Sequence, residues 1–177
     1  MTMADYSVIA ETVRVPMRDG VEISAHVYRP AGGEPVPALM MYTPYRKGRL
    51  GAAPPFVGHG YAFVMFDIRG TGDSGGWNDC IYCDAERQDG YDMIEWISTQ
   101  PWSDGKVGMI GISAYGGEQF RAAVQGHPAL KAIFPYDSMG CYSGMWSMRE
   151  FHPGGVIHMM PYLLGMFSCV HEPCGRP

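Results

Sequence analysis

The chain has 177 residues, 46% of them hydrophobic and 18% charged, which suits one globular domain able to bury about 70% of its unfolded surface. Its formal net charge is −5, and its Lys and Arg residues form no stripe that could neutralise phosphates, which argues against a nucleic-acid partner. The start, "MTMADYSVIAETVRV", has neither the basic nor the apolar region of a signal peptide, and no uncharged apolar run reaches the length of a membrane span. Five cysteines, Cys80, Cys83, Cys141, Cys169 and Cys174, are an odd count without a signal, which predicts reduced thiols and a cytoplasmic protein with no membrane partner.

The predicted elements begin with an antiparallel hairpin. "SVIAETVRVPM" and "GVEISAHVYRP" read as strands around "RDG" (Arg18 to Gly20), where Asp19-Gly20 supplies the positive φ of the turn. In the second strand Val21, Ile23, Ala25 and Val27 alternate with Glu22, Ser24, His26 and Tyr28, the pattern of a half-buried strand. Four continuous apolar runs follow: "ALMMY" (38–42), "YAFVMF" (61–66), "VGMIGI" (107–112) and "ALKAIF" (129–134). Such runs suit parallel strands buried on both faces. Two helical stretches separate them. In "DAERQDGYDMIEWISTQ", Tyr91, Ile94 and Ile97 recur at helical spacing; "AYGGEQFRAAVQG" after Ser113 closes at Gly126, with Pro128 beyond. Strand–helix alternation predicts an α/β sheet with helices on both faces. From Tyr136 onward the pattern dissolves into a segment rich in Met, aromatics and Gly.

Two serines stand in conspicuous surroundings. Ser74 lies in "RGTGDSGGW", a string shared with the nucleophile loop of trypsin-like proteases. That chemistry needs a histidine and a buried aspartate earlier in the chain. Upstream are only His26, in an alternating strand, and His59, and strand–helix alternation is the wrong fold. Gly, Asp and Ser build turns on their own account. Ser113 lies in "GMIGISAYGG", after a buried strand and at the start of a helix. This is a Gly-x-Ser-x-Gly elbow with one extra residue before the second glycine. Small neighbours permit a strained turn that lifts the hydroxyl above the strand ends, and the helix start aims unpaired N–H groups at the site. Glycine-rich strand–helix turns also bind phosphates, but no Gly-x-x-x-x-Gly-Lys pattern is present.

The blocks "VPMRDGVEISAHVYRP", "PVPALMMYTPYRKG", "GYAFVMFDIRGTGDSGG", "DGYDMIEWISTQPWSDGKVGMIGISAYGG" and "PALKAIFPYDS" together resemble the cocaine esterase / X-prolyl dipeptidyl-peptidase group of α/β-hydrolases (S15-type, CocE/NonD). They cover most of residues 8–138 in the family's order. The resemblance implies an α/β-hydrolase fold and a serine hydrolase cleaving an ester or amide of a small molecule or short peptide, without a cofactor or metal. It implies that Ser113 is the acylating serine, that the Tyr45 hydroxyl helps form the oxyanion hole, and that the Ala114 backbone N–H is the second donor. The family usually places a tyrosine directly after the serine; here the order is Ala114-Tyr115. In the "RGTGDSGGW" loop the resemblance makes Asp67, Arg69 and the glycines loop-shaping residues and Ser74 a turn residue.

The family's later acid, histidine and β-sandwich are missing, as is a Gly-Pro-Trp-x-His segment. The expectation is therefore a fragment: residues 1–137 as the N-terminal portion of the hydrolase core and 138–177 as the beginning of a cap. The alternative is a catalytically silent piece lacking the triad acid and base. An Asp137–His pairing is a further option; His127, before Pro128, reads as a surface or packing residue, as do His152, His158 and His171. Cys80-x-x-Cys83 has metal-like spacing but no second ligand pair.

Overall fold

The computed structural model describes residues 7–47, 55–77, 84–136 and 138. The cap expected from residue 138 onward, apart from Ser138 itself, lies outside the described residues, as do Asp137 and all five cysteines.

The chain opens with β1 (Val8–Pro16) and β2 (Glu22–Pro30), antiparallel in register from Val8↔Pro30 to Pro16↔Glu22. The turn forms where the sequence places it. Gly20 takes φ +86°, and its N–H donates to the Met17 carbonyl at 2.9 Å. The Asp19 carboxylate accepts the Val21 N–H at 3.1 Å.

The apolar runs become β3 (Val36–Thr43), β4 (Ala62–Asp67), β5 (Ser103–Ile112) and β6 (Leu130–Tyr136). The helical stretches become α1 (Asp84–Ser98) and α2 (Ala114–Ala123). Among the described residues one six-stranded sheet runs in the order β1-β2-β4-β3-β5-β6. β2 meets β4 antiparallel, whereas β4–β3, β3–β5 and β5–β6 are parallel. β4 is buried along its whole length, with Val64 and Phe66 on one face and Phe63 and Met65 on the other.

Helices on both faces were the expectation. Among the described residues both α-helices instead share one face. Met93, Ile94 and Ile97 of α1 and Ala122 of α2 join Ile23, Val27, Met40, Tyr42, Val64 and Phe66 in one core. The two helices touch where α1 has no side chain: a Cβ on Gly90 would lie 3.2 Å from the Ala122 methyl. Among the described residues the other face carries a 3₁₀ turn, Pro55–His59, which lays Val57 against Phe63 and stacks Phe56 on Phe63 at 5.6 Å. Helical periodicity could not reveal so short a turn.

For β6 the expectation was a strand buried on both faces; among the described residues it pairs with β5, with Phe134 64% and Tyr136 59% exposed.

This topology assembles a site at one edge. The parallel strands β3, β4, β5 and β6 end at Thr43, Asp67, Ile112 and Tyr136. The loops that follow therefore converge at the carboxyl ends of the sheet, where open α/β sheets bind ligands.

Candidate functional site

Ser113 sits between the last residue of β5 and the first of α2, at φ +58° and ψ −121°. A non-glycine residue there costs on the order of 1–3 kcal/mol unless its surroundings hold it. The surroundings do so with several bonds. The Ser113 N–H donates to the Tyr136 carbonyl at 3.1 Å, and its own carbonyl accepts the N–H groups of Gly116 and Gly117 at 3.0 and 3.1 Å. The Gln119 amide, fully buried, lies within 3.2–3.3 Å of the carbonyls of Gly111, Tyr115 and Phe134, tying β5, α2 and β6 together.

The glycines have steric reasons. A Cβ on Gly111 would come within 2.3 Å of the Tyr115 Cβ, and one on Gly116 within 2.3 Å of the Ser138 Cβ. The second glycine thus lets the chain after β6 pass close over the first turn of α2.

Tyr45 follows β3 in a loop whose backbone is anchored on both sides. Its N–H donates to the buried Thr43 hydroxyl at 2.8 Å. Two residues on, Lys47 is buried: its N–H donates to one oxygen of Asp67 at 2.6 Å and its ammonium to the other at 2.7 Å, with Asp73 also 2.7 Å from the ammonium. Arg46 between them takes φ +72°. The outcome is that the Tyr45 hydroxyl lies 3.4 Å from the Ser113 hydroxyl, although the two residues are 68 positions apart. Ala114 begins α2, so its N–H falls outside the helical ladder. All three residues singled out in the sequence are therefore neighbours. Ser113 is exposed and Tyr45 half-buried.

Ser74 is a buried fastener. Its hydroxyl accepts the Ser24 N–H at 2.9 Å and donates to the Asp67 carbonyl at 2.9 Å, joining the loop after β4 to β2. This explains why Ser24 is buried on the supposedly open face of β2. Ser74→Ala leaves two buried backbone groups unpaired, so it should destabilise the protein by about 1–3 kcal/mol. Denaturant melts should show the loss while reaction with serine-directed probes persists; a variant that melts like the parent but no longer reacts would return Ser74 to the chemistry.

Below the site lies a buried ionic network. Arg69 grips Asp89 of α1 with bonds of 2.7 and 2.5 Å and reaches Asp19 of the hairpin at 2.9 Å; the Tyr42 hydroxyl donates to Asp89 at 3.3 Å. Burial pushes the Asp89 carboxyl up from its ordinary value, and the Arg69 guanidinium pulls against it. The Lys47 ammonium bonded to Asp73 holds that carboxylate low.

Glu118 of α2 is buried beside Glu86, with Arg121 at 3.8 Å. Burial first, then the charges of Glu86 and Asp89, raise its carboxyl well above 4.5, against the pull of Arg121. The folded protein therefore holds this proton more tightly than the unfolded chain. Stability is fullest below the ordinary glutamate range and falls as pH rises through the window above it. Glu118→Gln should remove that loss and stabilise the protein more near pH 8 than near pH 5. Melting curves at both pH values check it; an equal gain at both would reject it.

His127 is placed as a packing residue. Its Nδ1 accepts the Ala129 N–H at 3.1 Å, its Nε2 lies 2.9 Å from Glu95, and its ring meets Tyr91 edge-on at 4.4 Å. It precedes β6, whose Leu130 pairs with Val107, whereas Ser113 follows Ile112 at the other end of β5. About six residues of strand, roughly 20 Å, separate them.

The sequence reading missed Lys47, Thr43 and Gln119. Lys47 belongs to the quoted block "PVPALMMYTPYRKG", but nothing in that stretch shows a lysine to be buried. Among the described residues no group of three or more His, Cys, Asp and Glu side chains could hold a metal ion, and no helix is long and apolar enough to cross a membrane.

A sheet in this order, with a serine at the tight corner between β5 and the following helix, defines an α/β-hydrolase fold. The match of residues 19–166 to the family model of the X-Pro dipeptidyl-peptidases then settles the kinship: the chain belongs to the S15 family, a family of esterase and peptidase hydrolases. It is 39% identical over 165 residues to the cocaine esterase of Rhodococcus sp. (strain MB1 Bresler), covering 89% of this chain and 28% of that protein. Among solved structures it is similar to an α-amino acid ester hydrolase (32% identity, TM-score 0.68, covering 78% of this chain and 26% of that one). It is similar also to an aminopeptidase from a marine sediment Thaumarchaeota archaeon (27% identity, TM-score 0.67, covering 78% and 27%). The chain spans little more than a quarter of the length of these relatives.

Proposed function

We propose that this chain carries the nucleophile and oxyanion hole of a serine hydrolase acting on an ester or amide of a small molecule or short peptide. The observation that carries the reading is the strained, exposed Ser113 with the Tyr45 hydroxyl 3.4 Å away and the first N–H of α2 beside it. The Ser113 oxygen attacks the substrate carbonyl carbon and its proton passes to a general base. The carbonyl oxygen becomes an oxyanion between the Tyr45 hydroxyl and the Ala114 N–H. Collapse expels the alcohol or amine, which takes up the proton and leaves an acyl-serine. Water then attacks the acyl carbon, the acid departs and the serine regains its proton. The base is assigned outside the described residues, since none of the contacts described for Ser113 is with His26, His59 or His127.

The test is a fluorophosphonate probe applied to the protein expressed from its intact reading frame, with the adduct mapped by mass spectrometry. The adduct is expected on the peptide bearing Ser113; an adduct at Ser74, or none, would reject the assignment. The second reading is that the 177-residue chain alone is catalytically silent, supported by the lack of a histidine beside Ser113 in the contacts described. Steady p-nitrophenyl ester turnover by the 177-residue chain, lost in Ser113→Ala, would rule it out.

A further inference from the structure

An oxyanion donor works only if it is held in place before the reaction, because displacement by about 1 Å can cost 10²-fold in rate. For the Ala114 N–H this is automatic, since it belongs to the backbone of the corner itself. For Tyr45 it is not. Thr43 and the Lys47–Asp67 pair anchor its backbone, but its half-buried ring turns about two side-chain torsions unless something packs against it.

That partner is Tyr115. Its ring meets the Tyr45 ring edge-to-face at 5.2 Å and 68°, a favoured aromatic geometry. Tyr115 is seated on the first turn of α2, one residue beyond Ala114. Its seat is made by an absence: a Cβ on Gly111 would stand 2.3 Å from the Tyr115 Cβ and 3.2 Å from its Cγ. Its carbonyl is held by the buried Gln119 amide at 3.2 Å. Hence the serine, the backbone donor and the surface that steadies the hydroxyl donor all ride on one rigid turn. The order Ala114-Tyr115 leaves a small side chain beside the nucleophile and sets the ring against Tyr45.

We propose that Tyr115 is a positioning residue that fixes the Tyr45 hydroxyl for oxyanion binding through this edge-to-face contact. The proposal rests on the serine hydrolase reading above and goes beyond it by giving Tyr115 a function exercised only through Tyr45.

The test is a double-mutant cycle on the protein from its intact reading frame. Turnover of p-nitrophenyl acetate is measured and normalised to sites titrated by fluorophosphonate. Tyr45→Phe should lower kcat about 10²–10³-fold. Tyr115→Leu should lower kcat about tenfold with KM unchanged, the mark of an interaction expressed in the transition state. Tyr115→Phe, which keeps the ring edge, should stay within about twofold. The double variant Tyr45→Phe/Tyr115→Leu should be no slower than Tyr45→Phe alone, because without the hydroxyl there is nothing left to position. Losses that multiply in the double variant, or a Tyr115→Leu enzyme at the parent rate while Tyr45→Phe is slow, would overturn the proposal and leave the hydrolase reading standing. A Tyr45→Phe enzyme at the parent rate would remove the oxyanion role of Tyr45 and the proposal with it.

Discussion

Ser113→Ala is expected to abolish fluorophosphonate labelling and to lower ester turnover by on the order of 10⁶-fold, the loss seen when an acylating serine is removed from a working hydrolase. Ser74 is buried and uses its oxygen in two structural bonds, whereas Ser113 is exposed beside the Tyr45 hydroxyl. The same position should reveal the strain it carries. With φ +58° and ψ −121° it occupies the conformation found at the first central position of type II′ turns, where glycine dominates. Ser113→Gly should therefore be inactive yet more stable than the parent by about 1 kcal/mol, as strain is relieved. Kinetics and denaturant melts on both variants check the pair of effects. Residual turnover within about 10²-fold of the parent would exclude Ser113 as nucleophile, and a destabilised Ser113→Gly would show that the corner stores no strain.

Lys47→Met should cost about 3–5 kcal/mol, the loss typical of breaking a buried ion pair from one side. The lysine and Asp67 side chains are 2% and 1% exposed, so water cannot replace the lost partner. Asp67 would keep the N–H groups of Lys47 and Asp73, at 2.6 and 3.2 Å, but no cation. Its surroundings leave little room to relax, since a Cβ on Gly72 would lie 2.3 Å from the carboxylate and Gly72 is already at φ +54°. Lys47→Met/Asp67→Asn should recover part of the loss, because the uncompensated charge is gone. Chemical denaturation of the three proteins gives the answer; a single variant within about 1 kcal/mol of the parent would mean that the pair is not closed to water. Because the pair anchors the loop that carries Tyr45, the loss should come with slower ester turnover.

The sequence by itself determined what short windows encode. Alternation in "GVEISAHVYRP" set the faces of β2, Asp19-Gly20 set the hairpin, and the spacing of Tyr91, Ile94 and Ile97 set α1. The small residues around Ser113 announced a corner between strand and helix. Each of these depends on side-chain volume and backbone freedom within a few residues, which is why it can be read locally. Only the tertiary structure decided which residues meet. Strand order puts β3 beside β5 and so brings Tyr45 to Ser113. The loop after β4 folds back on β2 and turns Ser74 into a buried fastener. Lys47 loses water because Asp67 and Asp73 arrive from another segment. Among the described residues α1 and α2 share one face. These outcomes follow from burial summed over the whole sheet, a quantity that no single stretch of sequence contains.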